Sequence, residues 1–212
     1  YKTDVKPLSN EVGDKDAQGN PVTPPFEASV AYKNALEKAN AESEEDAKKD
    51  TSATAKLKEY ADKLKAAQEL LNKVNNPDPN AKSEDRPTQA QVDKALAELK
   101  AAKDAITNGF KTNVDALQNE ADDKDDKGNV HNPTFENTTE FANLKAKGDG
   151  KTKPDDLVAY EKALAKAKEL IDKNDGMVAD PNDSTKQIAV PKDQLPTQQE
   201  VDEAQKALKA VS

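Results

Sequence analysis

The 212-residue chain is predicted to fold as an all-α protein built from two tandem modules, and three observations carry that expectation. Blocks of sequence recur in the same order about 109 residues apart. Long stretches place apolar residues at alternating steps of three and four, which is the spacing of one helix face. Nothing alternates with period two over a useful length, and the 12 prolines fall at candidate helix starts or in loops.

The repeat is read residue by residue. Thr3-Asp-Val-Lys-Pro-Leu-Ser-Asn-Glu-Val12 aligns with Thr112-Asn-Val-Asp-Ala-Leu-Gln-Asn-Glu-Ala121, and Asp14-Lys-Asp-Ala-Gln-Gly-Asn20 with Asp123-Lys-Asp-Asp-Lys-Gly-Asn129. Phe26-Glu27 returns as Phe135-Glu136, and Pro87-Thr-Gln-Ala-Gln-Val-Asp93 as Pro196-Thr-Gln-Gln-Glu-Val-Asp202. The block from Leu57 and Tyr60 to Leu70 returns at Leu157, Tyr160 and Leu170, a register of about 100 residues. Copy one therefore carries about nine extra residues before this block and copy two about nine after it. The expected modules span 1–108 and 109–212.

Within each module the elements follow in order. Segments 26–41 and 135–147 are read as an extra short helix led by a phenylalanine. Leu57, Tyr60, Leu64, Ala67, Leu71 and Val74 then mark one face of a long helix, and Leu157, Tyr160, Leu164, Ala167 and Ile171 mark its counterpart. The next helix opens with Thr88-x-x-Gln91 or Thr197-x-x-Glu200, the capping-box pattern. It buries Val92, Ala95, Leu96, Leu99, Ala102 and Ile106, or Val201, Ala204, Leu208 and Val211. Apolar positions continue through Phe110, Val114, Leu117 and Ala121, interrupted only by Gly109. The two modules, each an elongated three-helix bundle, are thus expected to share one continuous helix over 88–123, about 54 Å long. At the equivalent place in copy one, Pro7 is expected to stop any helix arriving from upstream near residue 6.

Composition removes several functions. The 32 Lys and Arg residues against 41 Asp and Glu give a formal charge of −9, which opposes nucleic acids and anionic membrane surfaces. Arg86 is the sole arginine, so the bidentate phosphate fork is nearly absent. With no cysteine and one histidine, thiolate nucleophiles, disulfides, common zinc sites and Ser–His–Asp triads are excluded or implausible. No apolar run is long enough to cross a bilayer. No enzymatic activity, cofactor or metal is expected.

The blocks Val114-x-x-Leu117-x-Asn119-Glu120, Tyr160-x-x-x-Leu164-x-x-Ala167-x-x-Leu170 and Thr197-Gln198-x-x-Val201-Asp202-x-Ala204-x-x-x-Leu208-x-Ala210, with their partners in copy one, resemble the FIVAR family of bacterial surface repeats. The resemblance implies tandem three-helix bundles in a cell-wall-anchored protein of Gram-positive bacteria, with the anchor outside this stretch. It further implies an extracellular adhesin repeat, monomeric within a longer array, whose partner is a host matrix or plasma protein, fibronectin favoured. A passive stalk that projects a distal domain is the alternative. Two departures are plain: modules of about 109 residues exceed the usual unit, and the Phe-led segments are additional. Tyr1 is not an initiator methionine, so the chain is read as an excised stretch of a longer one.

Four sets of residues are weighed as sites. The loops Asp14 to Gly19 and Asp123 to Gly128 begin like an EF-hand, but position five is Gln18 or Lys127 and position twelve is Pro25 or Thr134. They read as polar turns, with calcium as the lesser alternative. His131 has Val22 as its counterpart and reads as a solvated loop residue. The acidic clusters 42–46 and 122–126 contain the carboxylates glycoside hydrolysis uses but read as solvated faces. Finally, Phe26/Phe135, Tyr32/Phe141 and Tyr60/Tyr160 recur in a chain with few aromatics; they read as core anchors that dock the Phe-led helix, with exposed binding residues as the alternative.

Overall fold

The computed structural model describes residues 2–148 and 153–212; Tyr1 lies outside the described residues. The protein is mostly helical and divides into two compact units, Tyr1–Lys111 and Thr112–Ser212.

Unit 1 begins with a short helix, α1 (Lys6–Val12), followed by a tight loop, a turn of 3-10 helix at Phe26–Ala28 and α2 (Val30–Ala41). A four-residue helix α3 (Glu44–Ala47) leads into the two long helices, α4 (Ala53–Asn75) and α5 (Gln89–Gly109). The starts are built by short oxygen-bearing side chains: Ser29, Ser43, Ser52 and Thr88 each accept the amide three residues on. At Thr88 the expected box closes, since the Gln91 side-chain oxygen accepts from the Thr88 amide at 2.8 Å. Unit 2 repeats the order with α6 (Asp115–Ala121), a 3-10 turn at Phe135–Asn137, α7 (Thr139–Ala146), α8 (Asp155–Asn174) and α9 (Gln198–Lys209). There Thr197 accepts from the Glu200 amide, and its hydroxyl donates to the Glu200 carboxylate.

In unit 1, α4 and α5 pack along each other, α2 lies against both, and α1 against both as well. The core falls on the expected faces, with Tyr60, Ala67, Leu71, Val92, Leu99 and Ile106 buried. In unit 2, α6 packs on α8 and α9, whose buried faces include Leu157, Tyr160, Ala167, Ile171, Val201 and Leu208. Alanine-rich seams let the helices approach, so few large side chains suffice for each core. Among the described residues no buried side-chain nitrogen or oxygen lacks a partner.

Two expectations are corrected. The continuous helix over 88–123 does not form. Helix α5 ends at Gly109, and Phe110 leaves helical geometry at φ −129° and ψ 36° while its carbonyl accepts from Asn34 Nδ2 at 2.9 Å. Phe110 is buried in the core of unit 1, whereas Val114 and Leu117 belong to that of unit 2. The unbroken apolar spacing thus comes from residues that serve two different cores. A new helix then starts in both units at equivalent places, because Asp4 Oδ1 accepts from the Lys6 amide at 3.0 Å and Asn113 Oδ1 from the Asp115 amide at 2.8 Å.

The fold is also not purely helical. The extra residues of copy two form an antiparallel hairpin, β1 (Met177–Asp180) paired with β2 (Asp183–Ala189), turning at Pro181-Asn182. Gly176, at φ +84°, releases the chain from α8 into it. The hairpin's side chains lie mostly toward solvent, so no core imposes an apolar/polar alternation on its sequence.

Leu99 is fully buried at the centre of unit 1. Leu99→Ala is expected to cost about 2–5 kcal/mol, visible in scanning calorimetry as a lowered transition for unit 1 with that of unit 2 unmoved.

Candidate functional site

The side chains common to both units converge at two places, each built mostly from bonds within its own unit. One is the meeting of the unit's extended entry segment with the start of its last helix. The side-chain amide of Gln89 takes both backbone groups of Asp4: Asp4 N–H donates to Oε1 at 2.8 Å, and Nε2 donates to Asp4 O at 3.0 Å. Asp93, one turn along α5, accepts from the same Nε2 at 2.9 Å and fixes the amide's orientation. Thr3 Oγ1 adds a bond to Pro87 O at 3.2 Å. Unit 2 reproduces the set: Asn113 with Gln198 at 2.7 and 3.0 Å, Gln198 with Asp202 at 2.9 Å, and Thr112 with Pro196 O at 2.7 Å. The Pro-Thr-Gln-x-x-Val-Asp block therefore encodes a helix cap together with a clasp for the entry segment. The cap is legible in the sequence; the clasp leaves only a glutamine repeated at the first helical position with aspartate four residues on.

The second place joins the acidic loop to the aromatic residues. Asp14 and Asp123 sit at positive φ, 51° and 56°, a conformation short polar side chains tolerate by bonding locally. Asp16 accepts from the amides of Gln18 and Asn20 at 2.9 and 2.8 Å and from Asn20 Nδ2, and Asp125 does the same with Lys127 and Asn129. The backbone amide of Asn20 above all, and the side chain of Asn129 in unit 2, hold these carboxyls below their ordinary range. The turn's carboxylates are thus bonded locally, and among the described residues no group of three or more Asp, Glu or His side chains is arranged to hold a metal. Phe26, Tyr32 and Tyr60 meet edge to face or tilted with centroids 4.7–5.8 Å apart, and Phe135, Phe141 and Tyr160 repeat the trio at 5.0–5.6 Å. Tyr60, Phe141 and Tyr160 are buried; Phe26, Tyr32 and Phe135 are partly so. These are the contacts of core anchors, and the trio docks the Phe-led segment on the long helix.

The other candidate residues are held in local bonds. His131 Nδ1 lies 2.8 Å from Asp123 Oδ1 on an exposed loop, and Asp123 also accepts from the Phe135 amide. In cluster 42–46, Glu42 accepts from the amides of Ala53 and Thr54 at the start of α4, while Asp46 takes Lys49 and Ser43. Asp122 pairs with Lys124 at 2.9 Å. The Thr54 amide holds Glu42 below the usual carboxylate range, and the lysine partners do so for Asp46 and Asp122. A general acid would need the opposite shift.

Two further features differ between the units. Buried Lys103 donates to Glu11 O at 2.7 Å, Asp14 Oδ1 at 3.0 Å and Glu11 Oε1 at 3.2 Å, and stands 5.5 Å from the Phe26 ring centroid. Its counterpart in unit 2 is Ser212, whose hydroxyl reaches Glu120 at 3.3 Å. Between α4 and α5 the ion pair Lys63–Glu98 closes the seam at 2.9 Å. The matching positions in unit 2 are Ala163 and Ala207, and there a shallow groove of about 520 Å³ opens, rimmed by Lys162 and Lys166.

No protein-family model, no curated protein and no solved structure matches the chain. Among the described residues no helix is long and apolar enough to cross a membrane.

The Tyr160 hydroxyl donates to Glu136 at 3.2 Å, and burial followed by the nearby carboxylate pushes its pKa from 10.0 to about 12. A folded-state value raised above the unfolded one means a contribution that is complete below pH 10 and is lost as pH rises through about 12. Tyr160→Phe is expected to cost about 1 kcal/mol at neutral pH and to flatten the fall of unit 2's melting temperature above pH 10, measured by calorimetry across that range.

Proposed function

We propose that this chain is a non-enzymatic run of tandem helical-bundle repeats from a bacterial cell-surface protein, each unit serving as a spacer that holds other parts of the protein away from the cell wall. The observation that carries this reading is the inward spending of the repeated residues. Gln89 and Gln198, Asp16 and Asp125, and both aromatic trios are bonded or packed within their own unit. Residues repeated for a ligand would present their groups outward; residues repeated for architecture close on themselves. Two long helices with a short one against both, in each unit, support an elongated three-helix module with an added short helix. The resemblance to FIVAR repeats supports a cell-wall setting.

A second reading, an adhesin repeat that binds a host matrix or plasma protein such as fibronectin, draws on outward-facing features of unit 2. These are the β1–β2 hairpin and the groove beside Ala163 and Ala207, where unit 1 has the ion pair Lys63–Glu98. Weak contacts of that kind would gain strength by summation along an array.

Surface plasmon resonance against immobilised fibronectin, collagen and plasminogen separates the two. The spacer reading expects no saturable binding by the whole chain at micromolar concentration. Saturable binding that is lost when residues 178–188 are replaced by a short glycine–serine loop would establish the adhesin reading instead.

A further inference from the structure

In both units the entry segment and first helix run parallel to the last helix, and the two ends of the unit lie at opposite ends of that helix. In unit 1, Thr3 and Asp4 meet Pro87 and Gln89 at the start of α5. Glu11 and Asp14 meet Lys103, fourteen residues past Gln89 and so about 21 Å along the axis. The chain leaves from the far end of α5, where Phe110 is buried and its carbonyl is held by Asn34.

Tension applied at residue 2 and residue 111 therefore draws α1 backward along α5. A segment peeled from one end loses its contacts one at a time. A segment sheared along its partner must lose the clasp, the burial of Leu8 and the Lys103 bonds together before it moves. Forced unfolding is governed by the rate of crossing that barrier, so contacts broken at the start of the pull set the resistance. Lys103 suits such a load because it is buried and makes bonds of 2.7, 3.0 and 3.2 Å directed across the shear plane.

We propose that each unit is a tension-bearing element, in which the glutamine clasp at one end and the basic contact at the other form a mechanical latch between α1 and α5, or α6 and α9. The latch is stronger in unit 1. In unit 2 the clasp is intact, but Glu120 meets Lys209 only at 3.9 Å and the Ser212 hydroxyl at 3.3 Å. Unit 2 is the first to yield. The surface-repeat reading supplies only the origin of the load; the latch belongs to the fold.

Optical-tweezers pulling of the whole chain tests it, with attachment points set by introduced thiols since the chain has no cysteine of its own. Pulling from residues 2 and 212 is expected to give two steps of about 35 nm each, with unit 2 opening first. Lys103→Met is expected to raise the unfolding rate of unit 1 under load by about tenfold or more, and exposed Gln89→Ala, which leaves the core intact, by about fivefold. Lys63→Met, which removes an ion pair between α4 and α5 outside the latch, is expected to change it by less than about twofold. Moving the attachment points to residues 2 and 85, which peels α1 instead of shearing it, lowers the force for unit 1. Equal effects of Gln89→Ala and Lys63→Met, or no dependence of force on attachment geometry, would overturn the proposal. Binding to matrix proteins does not enter the readout, so the spacer reading and the latch fail separately.

Discussion

A glutamine amide offers one acceptor and two donors in a plane, the same groups a neighbouring β-strand would present to a peptide. Gln89 and Gln198 use them in that way, taking the N–H and the C=O of Asp4 or Asn113 at 2.7–3.0 Å. Each such bond contributes about 0.5–1.5 kcal/mol net, a modest sum, but the geometric consequence is large. The bonds fix where the chain enters each unit and which face α1 or α6 presents to the long helices. Leu8 and Leu117, both fully buried, lie on the helices that start from that entry point.

The same constraint explains why the units are built alike while their surfaces diverge. Positions that set the entry, the acidic turn and the aromatic trio are tied by bonds both units share: Gln89 or Gln198 holds the entry, Asp16 or Asp125 the turn, and Tyr60 or Tyr160 joins the trio to the 3-10 turn through Glu27 or Glu136. A substitution at one of them disturbs several bonds. Positions outside that set are free to change, and they have: the ion pair Lys63–Glu98 gives way to Ala163 and Ala207, and a loop after α4 gives way to a hairpin after α8. Low overall hydrophobicity is compatible with this plan because each unit needs only a narrow seam of Leu, Val and Ala between its long helices.

The parts of the fold legible in the sequence are those decided by near neighbours along the chain. The faces of α4, α5, α8 and α9 follow the 3–4 spacing, and Thr88 with Gln91 forms the box its pattern announces. What escapes the sequence is decided at a distance. Phe110, Val114 and Leu117 continue a helical period only by coincidence, since Asn34 and Gln198, 76 and 85 residues away from their contacts, end the helix there. The β1–β2 hairpin leaves no alternation because its side chains are mostly solvated. The aromatic trio is recognisable as core, yet Lys103, which caps it from above Phe26, is indistinguishable in sequence from the solvated lysines of a charged helix.

The clasp, and not continuity of helix, holds each unit's entry segment in place. Amide hydrogen exchange followed by NMR reads this directly at Asp4 and Asn113, which lie outside any helix and whose amides donate to Gln89 and Gln198. If the clasp closes the unit, these two amides exchange about as slowly as interior amides of α5 and α9, opening only with the unit as a whole. Exchange at the rate of an unprotected loop at both positions would contradict it.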